Sequence, residues 1–183
     1  MVAYTDRLRL RTLAPADAPL LLDFHLRNRT FFEPWEPVRD ERFFEEGAQA
    51  EAIAIERRDF EERRSLRLYL FEKDGEAGPI VGYAGLSNIV YGAFLSAFLG
   101  YKVDEARRGM GYMTEAVRAL LDIAFIEYGL HRVEANIIPR NAPSIRLARA
   151  LGFELEGSSP KYLKINGAWE DHDHYVLRNR ALE

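Results

Sequence analysis

Arg107-Arg108-Gly109-Met110-Gly111-Tyr112-Met113-Thr114-Glu115-Ala116 is the stretch whose reading decides the fold. Before it runs Phe94-Leu95-Ser96-Ala97-Phe98-Leu99-Gly100-Tyr101-Lys102-Val103, an apolar, aromatic segment that reads as a buried strand. After it, Val117, Leu120, Leu121, Ala124 and Phe125 recur at helical spacing and predict a helix over 116–128. The order is strand, glycine turn, helix. Such a turn aims several backbone N–H groups, and the positive end of the helix dipole, at one point. Gly109 and Gly111 let a ligand approach the backbone with no Cβ in the way. A phosphate is the natural occupant, although Gly-x-Gly also makes ordinary tight turns. No Gly-Lys-Ser/Thr follows, so this is not a P-loop. The third glycine of a dinucleotide fingerprint is missing as well.

The 183 residues suit one domain over 1–183 with a sizeable core. There is no cysteine, which excludes disulfides, thiolate metal sites and a cysteine nucleophile. A net charge of −4 offers no general basic face for nucleic acid and suits a cationic substrate. No apolar run approaches a membrane span, and Met1 to Arg7 lacks the apolar core of a signal peptide. A cytoplasmic location, with no membrane and no direct nucleic-acid partner, is expected.

Outward from the glycine turn, the chain alternates strand and helix patterns. Arg7 to Leu13 alternates as a half-buried strand, and Asp17 reads as the cap of a first helix ending near Arg29. His25 on that helix reads as a surface or packing residue. Thr30-Phe31-Phe32-Glu33-Pro34-Trp35-Glu36-Pro37-Val38-Arg39-Asp40 is aromatic and acidic, and its two prolines forbid a continuous helix. It reads either as the wall of a cation-binding cleft or as a rigid packed loop. Residues 40–64 predict a long helix with a solvated charged face. Leu66 to Glu72, Ile80 to Val90 and Phe94 to Val103, joined by short turns at 73–79 and 91–93, predict an antiparallel meander. His131 to Ile138 is a further strand. Asn141 then caps a short helix with Ser144 in its first turn, and Gly152 closes it. Phe153 to Gly157 and Tyr162 to Ile165 read as strand, Asn166-Gly167 as a hairpin turn, and Ala168 to Leu177 as the returning strand.

This order of elements, with Arg108-Gly109-Met110-Gly111-Tyr112 at its centre, resembles the GNAT N-acetyltransferase family. Arg108, Gly111 and Met113 fall on the fixed positions of the family's Gln/Arg-x-x-Gly-x-Gly/Ala phosphate signature. Met113 departs from the usual Gly or Ala, which is tolerable if its side chain points into the helix packing. Thr114-Glu115-Ala116, Asn141-x-x-Ser144 and Ala150-Leu151-Gly152-Phe153 also fit. Pro34 to Glu41, Ser87 to Val90, Leu99-Gly100-Tyr101, Gly152-Phe153-Glu154, Glu156-Gly157, and Trp169 with Asp171-His172 narrow the resemblance to ribosomal-protein acetyltransferases of the RimJ/RimL type, with the RimJ alanine pattern nearest.

The resemblance implies an α/β (α+β) fold, a mixed sheet of about six to seven strands flanked by about four helices. It implies direct acetyl transfer from acetyl-CoA to an amine, that of a protein N-terminus and of a ribosomal protein in particular, by a monomer or homodimer. Alternatives are acetylation of a polyamine or amino sugar, or an acyl-CoA-binding module without activity. On the donor side it implies Gly100, Tyr101, Lys102 and Val103 along the pantetheine arm, and Arg108, Gly109, Met110, Gly111, Tyr112, Met113 and Thr114 around the pyrophosphate. Asn136 and Asn141 would also hold the cofactor, and Ser144 would reach the departing sulfur. Asn141 and Ser144 read equally as a simple helix cap. On the acceptor side it implies Phe32, Trp35, Glu36 and His172.

No strong base stands where relatives carry one. Phe98 and Leu99 occupy the strand before the turn, and Leu163 occupies the position of the hairpin glutamate. Glu36 is the candidate for holding the amine or relaying its proton. An α-amine is ~10% neutral at pH 7 and a lysine amine below ~0.1%, so an N-terminal acceptor needs less help. His172-Asp173-His174 supplies too few ligands for a metal, and none is expected.

Overall fold

A computed structural model describes residues 1–73 and 78–183 of the chain. The strands are β1 (Val2–Tyr4), β2 (Leu8–Arg11), β3 (Leu66–Glu72), β4 (Gly82–Val90), β5 (Ser96–Val103), β6 (Arg132–Ile137), β7 (Glu154–Ile165) and β8 (Ala168–Arg178). The helices are α1 (Ala18–Arg27), α2 (Arg29–Phe32), α3 (Glu46–Glu61), α4 (Tyr112–Asp122) and α5 (Ala142–Ala150). All eight strands form one sheet in the order β1-β2-β3-β4-β5-β6-β8-β7. Every neighbouring pair is antiparallel except β5 and β6, which run parallel.

Two counts differ from expectation. Among the described residues there are eight strands rather than about six to seven, because β1 adds three residues, too few to show a period, and is held by pairing Val2 with Arg11. Among the described residues there are five helices rather than about four, because Asn28 interrupts the first one and leaves α2 as a single turn. Two boundaries and one cap bond also differ. Asp40 accepts from Phe43 N–H at 3.0 Å and starts a separate 3₁₀ turn over Glu41–Phe44. Glu45 is then extended, so α3 begins at Glu46 and not at residue 40. Asp17 stands at the N-cap of α1 as expected but makes no side-chain cap bond; its carboxylate takes Ala14 N–H at 2.8 Å and the Arg11 guanidinium. The helix after the glycine turn starts at Tyr112 instead of 116, directly on Gly111, and widens into a π turn over Ile123–Glu127. The expected turn at 73–79 lies partly on residues 74–77, outside the described residues.

The two faces of the sheet bury different things. Leu66, Leu68 and Leu70 of β3, Ala97 and Leu99 of β5, and Val133, Ala135 and Ile137 of β6 pack with Met113, Ala116, Val117 and Leu120 of α4. On the other face Tyr69 and Phe71 of β3 pack with Phe24 of α1 and Ile53 of α3. Strand alternation then puts Ser96, Phe98, Gly100 and Lys102 on this second face, together with Arg132, Glu134 and Asn136. That half of the second face is polar.

Candidate active site

The site begins where β5 and β6 part. They pair only through Ser96 with Arg132, Ala97 with Val133 and Phe98 with Glu134. From Leu99 to Val103, β5 keeps its partners on β4, Leu86 back to Gly82, and has none on β6. Ala135, Asn136 and Ile137 of β6 likewise pair only with β8. The result is a wedge whose inner edge carries backbone N–H and C=O groups without a sheet partner. Backbone groups in that position need a hydrogen-bonding guest or water. An extended amide-bearing arm, such as pantetheine, fits them.

The wide end of the wedge leads into the glycine turn. Gly109 and Gly111 have φ of +73° and +78°, a region that costs any residue with a Cβ. A Cβ at Gly109 would meet nothing within 4 Å, so the turn is open on that side. Gly111 is the N-cap of α4, and its neighbours lead into the first helical turn, where free N–H groups gather. Arg108 is exposed, its guanidinium 5.1 Å from the Phe31 ring. Met113 is buried at 7% exposure within the main core, pointing into the helix packing.

Residues far away in sequence brace this turn. Arg7 donates to Met110 C=O at 2.8 Å and lies 4.8 Å over the Tyr112 ring. Its backbone N–H and Nε each donate to Glu115 at 2.8 Å, and Thr5 adds a hydroxyl. Burial pushes the Glu115 carboxyl up, but the bonds from Thr5 and Arg7 outweigh it and hold the carboxyl below its usual range. No local pattern marks Arg7, which stands about a hundred residues from its partners.

On the helical face of the wedge, Ser144 sits in the first turn of α5. The expected cap is made: Asn141 Oδ1 accepts from Ser144 N–H at 3.3 Å. The Ser144 hydroxyl lies 2.6 Å from Tyr101 Oη. Burial raises the Tyr101 phenol, opposed by its bond to Ser144, so the phenol stays protonated. The resemblance assigned Tyr101 through its backbone; its side chain is a second contribution that only the fold reveals.

On the polar face, Lys102 Nζ donates to the Glu36 carboxylate and lies 4.6 Å from the Phe32 ring. Glu36 is 9% exposed, and Arg39 also reaches its carboxylate at 3.5 Å. Asn166 N–H at the β7–β8 turn donates to Glu36 C=O at 2.8 Å. Arg140 stacks 4.8 Å over Trp35, donates to Pro34 C=O at 3.3 Å and pairs with Glu170 of β8 at 2.6 Å. So Phe32, Trp35 and Glu36 are brought to the wedge, and the loop is tied at once to β5, to Arg140 in the segment before α5 and to the hairpin. The loop is packed and strapped, as its rigid reading expects, and it stands beside the polar face. Asn136, which the resemblance gives to the cofactor, has its Oδ1 taken by His174. His172 is buried at 3% exposure. His25 is buried against Phe43, and burial together with the charges of Lys102, Arg39 and Arg67 pushes it down to about 3. It stays neutral and packs. Among the described residues no three His, Asp or Glu side chains come together as a metal site.

A strand wedge, a glycine turn on a helix N-terminus and a helix-borne serine on the opposite wall define a site for a long phosphorylated thioester. Residues 7–154 match the acetyltransferase (GNAT) domain, and the chain belongs to the GNAT acetyltransferase family, whose members use acyl-CoA. Within that family it is RimJ-like. It is 39% identical over 170 residues to the ribosomal protein uS5-alanine N-acetyltransferase of Escherichia coli (strain K12), covering 92% of this chain and 86% of the relative. It superimposes with a TM-score of 0.94 on the crystal structure of the ribosomal-protein-S5-alanine acetyltransferase from Vibrio fischeri, at 31% identity, covering 100% of this chain and 99% of that one. The Mycobacterium smegmatis RimJ, solved in complex with CoA-disulfide, gives 0.91 at 30% identity over 99% of this chain and 88% of that one. No described helix is long and apolar enough to cross a membrane.

Proposed function

We propose that this N-acetyltransferase transfers acetyl from acetyl-CoA to a protein N-terminal amine, that of an alanine-starting ribosomal protein, by direct transfer in a ternary complex. It acts in the cytoplasm through one domain over 1–183. The observation that carries the reading is the two-sided wedge: unpaired β5 backbone between a helical wall bearing Ser144 and a polar face bounded by the Trp35–Glu36 loop. The 39% identity to the uS5-alanine enzyme supports the acceptor class.

Acetyl-CoA supplies the activated thioester carbonyl. Backbone groups of Gly100 to Val103 hold its arm, and an N–H there faces the oxygen that becomes negative. Arg108 and the N–H groups from Gly109 to Thr114 hold the pyrophosphate. Asn141 fixes the arm through the group its cap leaves over, and Asn136 offers its amide –NH₂. Ser144, oriented by Tyr101 Oη, donates a proton to the departing sulfur. Phe32 and Trp35 wall the acceptor, and Glu36 anchors its ammonium in competition with Lys102.

The test is mass spectrometry of peptides beginning with alanine after incubation with the enzyme and acetyl-CoA. A single acetyl group on the α-amine, and none on lysine, is expected. In cells lacking the gene, a ribosomal-protein N-terminus should lose its acetyl group. Turnover confined to polyamines or amino sugars would overturn the acceptor reading.

A further inference from the structure

Two histidines lie on the polar face of β8 and are held differently. His174 is used at both nitrogens. Its Nδ1 meets Asn136 Oδ1 and lies 3.3 Å from the Glu134 carboxylate, and its Nε2 lies 2.8 Å from Ser159 Oγ. His172 is used at one. Its Nδ1 lies 3.1 Å from the Glu170 carbonyl. A carbonyl only accepts, so Nδ1 must carry the proton and donate. In a neutral imidazole that leaves Nε2 as a bare lone pair. His172 is only 3% exposed, yet no described side-chain nitrogen is both sealed from solvent and without a partner. Nε2, which has no partner among the described residues, is therefore the part of His172 that reaches the surface.

The fold brings His172 to the mouth of the wedge. His172 stands one residue past the last β6–β8 pair, Ile137 with Asp173. It is on the same face as Asn136 and Lys102, opposite the wall that carries Ser144. The register of β7 against β8 shifts between Ser159 and Leu163. Asp171 holds that irregularity by accepting from Lys161 N–H at 2.8 Å. The shift swings the Tyr162 ring to 5.5 Å from His172 and 5.0 Å from His174. The hairpin tip is tied to the acceptor loop through Asn166 and Glu36. A buried imidazole with one open lone pair thus borders the face from which an amine must come. The other acidic candidates are absent or engaged, since Leu163 and Phe98 are apolar and Glu36 is held by Lys102 and Arg39.

We propose that His172 is the proton acceptor of the transfer, which rests on the N-terminal acetylation reading above. Nε2 takes one proton from the acceptor ammonium and passes it to solvent. The freed amine lone pair forms the N–C bond to the acetyl carbon, and the C–S bond breaks with its electron pair leaving on sulfur. The second proton lost from the new amide nitrogen balances the one that sulfur receives. The ionisable neighbours are Tyr162 of β7 and Glu170 and His174 of β8, with Glu36 and Lys102 at the same end of the wedge.

His172→Asn is the direct test, because its amide keeps a donor for the Glu170 carbonyl and removes Nε2. His172→Gln, which keeps a neutral group near Nε2, serves as a second variant should the first fold poorly. Both are measured for acetyl-CoA affinity, circular dichroism and kcat against pH on an alanine-starting peptide. The expected result is unchanged acetyl-CoA binding and a kcat about 10²-fold lower at pH 7. The variant's rate should then climb with pH until the peptide amine deprotonates by itself, near pH ~8. Wild-type kcat and an unchanged pH profile in a folded variant would overturn the role. Wild-type enzyme that acetylates a small amine and no peptide would overturn the acceptor reading instead, and the same comparison on that amine would still decide His172. Wild-type enzyme that binds acetyl-CoA and transfers to nothing overturns both.

Discussion

The two sides of the wedge are built on opposite principles. The proposed donor side presents backbone: an unpaired strand edge from Leu99 to Val103 and a helix start set by Gly109 and Gly111. Its side chains act behind the surface, as Arg7 and Glu115 do in holding the turn. The proposed acceptor side presents side chains, and these are held by ion pairs and stacking that cross the fold: Lys102 with Glu36, Arg140 with Trp35 and Glu170. A backbone site suits a ligand that is the same in every turnover. A side-chain site can be altered residue by residue, which suits an acceptor that differs between relatives.

That contrast can be broken at the junction between the sides. Ser144→Ala is expected to lower kcat about 10²-fold while moving neither Michaelis constant by more than about twofold, read by steady-state kinetics with both substrates varied. If kcat is unchanged, Ser144 serves only through the backbone N–H that Asn141 Oδ1 accepts, and not the sulfur. Gly111→Val puts a β-branched residue at φ of +78°, a misfit of about 1–2 kcal/mol, or about tenfold in affinity. KM for acetyl-CoA should rise by that factor with the peptide KM unmoved.

Lys102→Met probes the other side, because the Lys102 backbone belongs to the donor strand and its side chain to the acceptor loop. Peptide KM should rise several-fold with acetyl-CoA binding retained. Stability should fall by about 2–3 kcal/mol, since the Glu36 carboxylate is left buried without its main partner. The double variant Lys102→Met/Glu36→Gln should recover most of that loss in chemical denaturation; no recovery would mean that Lys102 acts through packing on Phe32.

The smallest effect is expected behind the glycine turn. The Glu115 carboxyl is held low in the fold, so its contribution is fully present above the ordinary value of 4.5 and fades as pH falls through the lower folded value. Glu115→Gln should cost about 1 kcal/mol at neutral pH and flatten the loss of stability in acid. An acid limb as steep as that of the wild type would assign acid sensitivity to other carboxylates, such as Asp104.

The donor side was largely legible in the chain. A strand, two glycines and an amphipathic helix point to a phosphate turn by local rules, and the resemblance adds the strand beside it, while the parting of β5 from β6 is seen only in the fold. The acceptor side was legible only as a set of residue types. Nothing near Glu36 shows that Lys102 closes on it, and the histidines at 172 and 174 look alike until their hydrogen bonds are seen. Strand pairing also hid from the pattern, since β1 is three residues long and the irregularity in β7 that positions Tyr162 reads as a gap between two strands.

Read along the chain alone, the residues set the periodicity of the elements, the glycine turn with its left-handed positions, and the absence of any thiol nucleophile. Each is a property of neighbouring residues, which local sterics and hydrophobic spacing settle. Which side chains meet was a matter for the folded chain. Arg7 reaches Met110, Tyr101 reaches Ser144, Lys102 reaches Glu36, and His172 keeps one nitrogen open. Those contacts depend on how far β5 and β6 stay paired before they part, and that register is set by the packing of the whole sheet.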